Sequence, residues 1–373
     1  MLARTRARIR NLAGLRSRFK AEVGQTPADV VHSENKWKLL RYRSRPEGRR
    51  HRRPIVMVPS LINRYYVLDL GPERSLVEYL VGEGHDVFIV DWGTPGKEDR
   101  YLDFDTVCQG YIGRAVRKAA RLAGTDDVHL FGYCLGGTLT AIHAAANPER
   151  IASLTTLAAP VDFARGGMLA DWTRTESFDL DTLVRATGNV PWPLMQAAFH
   201  LMRPTLTLSK LVGLLDRGWD DEFLDGFALT EKWGNDNVSF PGACYQRYID
   251  DLYRDNRLVH GTMTLAGRPA RLESIRCPLL VVTFEHDNIV PKACATLLAE
   301  MTSSTDSEHL HLRGGHVGAV VSRKAKDRLW MVLSRFWAER DAPTGPEACS
   351  RGGAHSRPRP NRSSASRSEA PAA

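Results

Sequence analysis

Residues 128–146 read VHLFGYCLGGTLTAIHAAA, and few local patterns leave a chain so little choice of fold. Val128, Leu130 and Phe131 form a short apolar run that stops at a glycine. Leu135, Leu139, Ile142 and the alanines after them then recur at helical spacing, with no breaker before Asn147-Pro148. A strand, a tight turn and a helix are predicted in that order. Gly132-Tyr133-Cys134-Leu135-Gly136 fits a nucleophile elbow, in which the central residue is held on a strained turn. Glycines two before and two after it let strand and helix pass closely. Cysteine stands where such elbows usually carry serine. A buried structural thiol beside a glycine-rich turn is the plainer alternative, because free cysteine is among the most buried residue types.

The chain on either side narrows the choice. From residue 54 onward, apolar strands alternate with amphipathic helices: strand at 54–61, helix at 73–84, strand at 86–93, helix at 104–124, the elbow, and a strand within 151–163. Such alternation predicts an α/β fold with a mostly parallel, doubly wound sheet covered on both faces. Residues 164–270 carry Trp172, Trp192, Trp219 and Trp233, prolines and helix-like stretches without a clear strand, and so read as a helical cap inserted over the sheet. Alternation resumes with a strand in 277–291, a helix over 292–301, a strand in 308–316 and a last helix through Ala338. The expected organisation is a basic N-terminal segment (1–53), a first core part (54–163), the cap (164–270), a second core part (271–341) and a disordered basic tail (342–373).

Composition excludes several alternatives. With 373 residues, 43% hydrophobic and 25% charged, the chain is ordinary globular material. No apolar run approaches the ~20 residues of a membrane helix, and no secretory signal is visible, so a cytoplasmic protein is expected. The six cysteines, Cys108, Cys134, Cys244, Cys277, Cys294 and Cys349, include no CxxC pair, so neither a metal site, a cofactor cluster nor a disulfide framework is expected. The net charge of +8 concentrates at the ends. Residues 1–20 are arginine-rich with Ile9, Leu12, Leu15 and Phe19 at spacings that share one helical face, a pattern for an amphipathic docking or surface helix, a transit peptide or a solvated arm. No nucleic-acid reader motif accompanies either end.

Two further residues complete a constellation. Asp287, in FEHDNIVP, and His316, in RGGHVGAV, each follow a predicted strand. Nucleophile, acid, histidine is the chain order of the α/β-hydrolase triad, and open α/β sheets gather such residues at the carboxyl ends of their strands. The plainer reading has Asp287 only capping the next helix, with His286 competing for the catalytic role, and Cys244 reads as a packing residue rather than a second nucleophile. In the triad reading, His316 takes the Cys134 proton, and Asp287 fixes its tautomer. The backbone N–H groups of Leu61 and Leu135 hold the oxyanion.

These motifs, GYCLGG with VPSLINRYYVLDL (58–70), DWGTPG (91–96), AAPVDF (158–163), EKWGNDNVSFPGACYQRYIDDLYRDNRL (231–258), DNIVP and GGHVGAV, resemble those of the polyhydroxyalkanoate synthases, in particular the short class III catalytic subunit. The likeness runs from about residue 27 to 338. It implies an α/β-hydrolase fold and an acyltransferase that polymerises (R)-3-hydroxyacyl-CoA with release of CoA at polyester granules. Cys134, Asp287 and His316 take the family's catalytic positions. The resemblance also implies a second synthase subunit, since single-chain synthases carry an extra N-terminal domain for which this sequence has no room, and it leaves self-association open.

The cysteine has a chemical rationale under this reading. A thiolate attacking acyl-CoA exchanges one thioester for another, so the acyl group stays activated for an alcohol acceptor, whereas a serine ester is a deeper trap. Transfer is therefore expected over hydrolysis. The alternatives are another acyltransferase, thioesterase or hydrolase of this fold acting on acyl-CoA, or an inactive granule-associated scaffold.

Overall fold

The computed structural model describes residues 2–45, 48–202 and 205–341; the tail from 342 on lies outside the described residues. Ten strands occur among the described residues: β1 (Ala28–Glu34), β2 (Trp37–Tyr42), β3 (Ile55–Val58), β4 (Val87–Asp91), β5 (Val128–Tyr133), β6 (Ile151–Leu157), β7 (Thr264–Leu265), β8 (Arg268–Pro269), β9 (Leu279–Phe284) and β10 (Ser307–Leu312). Eight form one sheet in the order β1-β2-β4-β3-β5-β6-β9-β10, while β7 and β8 make a small separate ribbon. β2 runs antiparallel to both neighbours, and all pairings from β4 to β10 are parallel.

Strands β3, β5 and β9 are buried along their whole length, as continuous apolar runs require of strands covered on both faces. Helices Ile112–Ala123 and Leu135–Ala146 belong to the core on one face. Leu76–Gly82 and Met331–Glu339 belong to that on the other. β5 lies centrally, between β3 and β6, so the elbow at its end is braced from both sides.

The segment before residue 54 differs from its expected form. It contributes two strands, joined at Asn35, which adopts φ 52, a left-handed conformation asparagine tolerates better than most residues. Leu2–Ala13 and Leu15–Arg18 are helical, as the periodicity predicts. Their arginines meet acids and carbonyls of this same chain: Arg18 pairs with Asp221 and Asp225, and Arg8 donates to the Asp216 carbonyl at 3.2 Å. Ile9 stays exposed. Residues 164–263 run through successive helices, from Met168–Arg174 to Gly242–Arg247 and the π-helical turn Tyr248–Arg254. The ribbon β7–β8 is a strand pair that the sequence reading of 164–270 lacks. Among the described residues no helix is long and apolar enough to cross a membrane.

Three core histidines give the fold a pH dependence. His85 lies 2.9 Å from Ser334 Oγ, His129 2.8 Å from Ser153 Oγ, and His143 3.0 Å from the Cys108 carbonyl oxygen. Burial pulls them from 6.5 down to about 3, about 3 and about 4 respectively. Well above pH 6.5 both folded and unfolded chains hold them neutral, and they contribute no pH dependence. As pH falls below that value, the unfolded chain binds protons that the folded chain refuses. Each histidine then lowers stability as the pH falls, until its folded pKa is reached. Against a total of about 5–15 kcal/mol, three such groups predict steep acid unfolding. Urea midpoints at about pH 7.5 and about pH 5 check it; equal midpoints would contradict the prediction.

Candidate active site

Cys134 ends β5 with φ 55 and ψ −130, a backbone that a non-glycine residue adopts only where its surroundings enforce it. The neighbouring glycines show how. A Cβ on Gly132 would run into Thr140 Oγ1, one on Gly136 into the Val58 and Pro59 carbonyls, and one on Gly137 into Ala159. Helix Leu135–Ala146 therefore starts against the ends of its neighbouring strands. The Cys134 N–H donates to the Leu157 carbonyl at 2.9 Å, pinning the turn to β6. Leu135 opens the helix, where an N–H has no intrahelical acceptor. The same close approach brings the loop after β3, which contains Leu61, beside it.

β9 and β10 deliver the other two residues to this end of the sheet. Asp287 Oδ2 lies 2.7 Å from His316 Nδ1, and Asp287 Oδ1 accepts the N–H groups of Ile289 and Val290, both at 2.9 Å. The carboxylate is thus fixed by its own turn. Both side chains are buried, with Asp287 7% and His316 9% exposed. Burial pulls the His316 imidazole down, but the charge and hydrogen bond of Cys134, and those of Asp287, outweigh it and raise its pKa to about 10. With Nδ1 committed to Asp287, the other ring nitrogen serves Cys134.

The competing candidates fall outside this cluster. The His286 side chain is 60% exposed and lies 3.9 Å from Glu285. Cys244 is fully buried, and burial pushes its thiol far up; Cys294 is pushed up to about 12 for the same reason. Cys349 lies outside the described residues. No group that would hold a metal ion occurs among the described residues. One participant escapes the sequence reading: Tyr133 donates its O–H to the His316 carbonyl at 3.0 Å, and its ring stacks on the imidazole at 5.3 Å. As a strand residue it reads as core, and its place inside the elbow pentapeptide is the available signal.

A cavity of ≈ 300 Å³ opens over Cys134, lined by Ile62 and Leu135 from the core and by Trp172, Phe178, Phe240 and Tyr248 from the helical region above. That region is fastened to the loop after β3. Val238 N–H donates to the Ile62 carbonyl at 3.2 Å, Trp233 Nε1 to the Arg64 carbonyl at 3.0 Å, and Arg64 pairs with Asp236 at 3.0 Å. The roof of the cavity and the loop carrying Leu61 are one hydrogen-bonded unit, joining the motifs at 58–70 and 231–258.

Residues 53–316 match the family model described as the alpha/beta hydrolase fold, and residues 10–80 that of the poly-beta-hydroxybutyrate polymerase (PhaC) N-terminus. The poly(3-hydroxyalkanoate) polymerase subunit PhaC of Haloferax mediterranei is 34% identical over 323 residues, covering 86% of this chain and 65% of its own length. The protein of the same name from Allochromatium vinosum is 34% identical over 323 residues, 86% of this chain and 90% of its own. That of Synechocystis sp. is 30% identical over 339 residues, 89% of each. Among solved structures, the monoacylglycerol lipase of Paleococcus ferrophilus superposes with a TM-score of 0.52 at 18% identity, over 81% of this chain and 99% of its own. MenH from S. aureus does so with a TM-score of 0.53 at 14% identity, over 83% and 100%. Likeness at that identity concerns the fold alone. Sequence identity held across most of both chains is a stronger bond, and by it this chain belongs to the poly(3-hydroxyalkanoate) polymerase family, built on the α/β-hydrolase fold.

Proposed function

We propose that this chain polymerises (R)-3-hydroxyacyl-CoA into polyester and releases CoA, with Cys134 as the acyl carrier. The supporting observation is a cysteine, not a serine, at an elbow backed by the His316–Asp287 pair and roofed by an apolar cavity, in a chain of this family. In loading, His316 takes the Sγ proton and the sulfur attacks the thioester carbonyl. The N–H groups of Leu61 and Leu135 hold the oxyanion. The bond to the CoA sulfur breaks, and CoA leaves with the proton from His316. In growth, a 3-hydroxyl gives its proton to His316, and its oxygen attacks the Cys134 thioester. An ester forms, the carbon–sulfur bond breaks, and Cys134 regains a proton. Apolar walls keep water from the thioester, which favours the alcohol as acceptor.

The test is CoA release from C4 and longer 3-hydroxyacyl-CoA with the polymer recovered. CoA and polymer should rise together; CoA with free hydroxy acid and no polymer would make the protein a thioesterase. The reading extends to a second synthase subunit and to the polymer granule surface, supported by the naming of its relatives as subunits. In the same assay, a lag that the second subunit removes is the expected sign of that partnership.

A further inference from the structure

Two stretches of the chain, 1–20 and 182–215, hold no acidic residue. The first forms the N-terminal helices, and the second carries helix Trp192–Met202 and most of helix Leu206–Arg217. The fold brings them together. Arg8 donates to the Asp216 carbonyl at 3.2 Å, Asn11 Nδ2 donates to the Trp219 carbonyl at 3.4 Å, and the Arg4 guanidinium lies 4.5 Å from the Trp219 ring centroid. The N-terminal helix is thereby tied to the turn that follows Leu206–Arg217, while Arg6, Arg10 and Arg16 remain exposed. Of the acids beyond 215, Asp220 pairs with Arg217 at 2.8 Å, Asp221 and Asp225 pair with Arg18, and Asp216 is exposed beside Arg8. Basic residues keep the balance here.

The helices of the second stretch turn apolar side chains to solvent. Leu208, Leu211, Val212 and Leu215 recur at spacings of three and four, which places them on one helix face, and each is between 52% and 62% exposed. On the preceding helix, Leu194 and Leu201 are exposed and also line the cavity over Cys134, so an edge of the catalytic cavity reaches this face. Single exposed leucines need no explanation, but a stripe continued onto a second helix marks an interaction surface. Its chemistry selects the partner. Side chains standing more than half clear of their helix suit a fluid apolar phase better than a preformed groove, exposed arginines beside them call for anionic headgroups, and Trp192, exposed at its helix start, suits headgroup depth. Neither helix is long and apolar enough to cross a membrane, so they would lie on one. A second copy seated symmetrically on the same face would bring two arginine-rich arms together, against their charge.

We propose that this face docks on an anionic phospholipid surface, its leucines entering the acyl boundary and its arginines meeting the headgroups, with the edge of the catalytic cavity turned toward the lipid. Docking of this kind goes beyond the polymerase reading and does not rest on it. Co-sedimentation of the full chain with vesicles, without substrate, tests it, so the result is independent of whether the chain makes polymer. Wild type should bind vesicles of phosphatidylcholine mixed with phosphatidylglycerol, and added salt should release it; pure phosphatidylcholine vesicles should hold it about tenfold more weakly or less. Leu208→Gln/Leu211→Gln/Leu215→Gln, at positions outside the cavity lining, should lose about tenfold or more on the mixed vesicles, as apolar side chains withdrawn from a buried face require. Arg6→Gln/Arg10→Gln should lose about tenfold on the mixed vesicles and nothing on the neutral ones. Both variants should keep the wild-type urea midpoint, since every position changed is exposed. A wild type that ignores the mixed vesicles, that binds both kinds equally, or whose binding survives both sets of substitutions overturns the proposal. So does a wild type that ignores the vesicles and runs as a dimer which the leucine variant converts to monomer, because the face would then be a contact between copies.

Discussion

Cys134→Ala should release no CoA from any acyl-CoA while unfolding at the wild-type urea midpoint. Alanine has the same backbone limits as cysteine at φ 55, so the elbow is no more strained than before, and only a partly exposed sulfur is removed. Losing a nucleophile of this kind lowers turnover by on the order of 10⁶. Cys134→Ser separates two contributions. Its hydroxyl is a far weaker acid for His316 to deprotonate, and any ester it forms holds the acyl group more firmly than a thioester does. The serine variant is therefore expected to load slowly and then stall, which intact-protein mass spectrometry reads as one acyl group retained without polymer. Steady polymerisation by the alanine variant would remove Cys134 from the mechanism altogether.

The meeting of Cys134, Asp287 and His316 in the candidate site was legible in the sequence because the three sit where the code is local. Each follows a strand and is flanked by residues that make sharp turns, and chain order suggests the roles without any knowledge of contacts. Cys134, Asp287 and His316 meet for that reason. What supports them was not legible, since it depends on partners distant in sequence. Tyr133 reaches the His316 carbonyl across 183 positions, and Arg64 reaches Asp236 across 172. β1 and β2 were hidden differently. β1 has no fully buried residue and lies among arginines, so its alternation carries little apolar signal, although Asn35 between two six- or seven-residue runs is a turn signal. The basic start shows the limit of composition: its charge pattern suits an acidic docking surface, and the structure supplies one from within the chain, at Asp221 and Asp225.

Asp287→Asn and His316→Ala should fail in different ways, because one residue holds the proton and the other decides where it sits. Without His316 nothing accepts the Cys134 proton or that of the incoming hydroxyl, so both loading and growth are expected to vanish. With asparagine at 287, the side-chain oxygen can still accept the Ile289 and Val290 amides, which Asp287 Oδ1 accepts at 2.9 Å. The amide NH₂ then faces His316 Nδ1 in place of the carboxylate oxygen now 2.7 Å away. A donor there makes Nδ1 the acceptor and sends the ring proton to the other nitrogen, which must be bare to receive the thiol proton. Loading should fall by on the order of 10³–10⁴ yet remain measurable, as expected when the tautomer is wrong and the imidazole is present. The same change removes a charge and a hydrogen bond that help raise His316 to about 10, so its titration should move to lower pH, visible by NMR of the imidazole. An Asp287→Asn variant with wild-type turnover and an unmoved His316 titration would mean that another group orients the ring, and the exposed His286–Glu285 neighbourhood would be the first place to look.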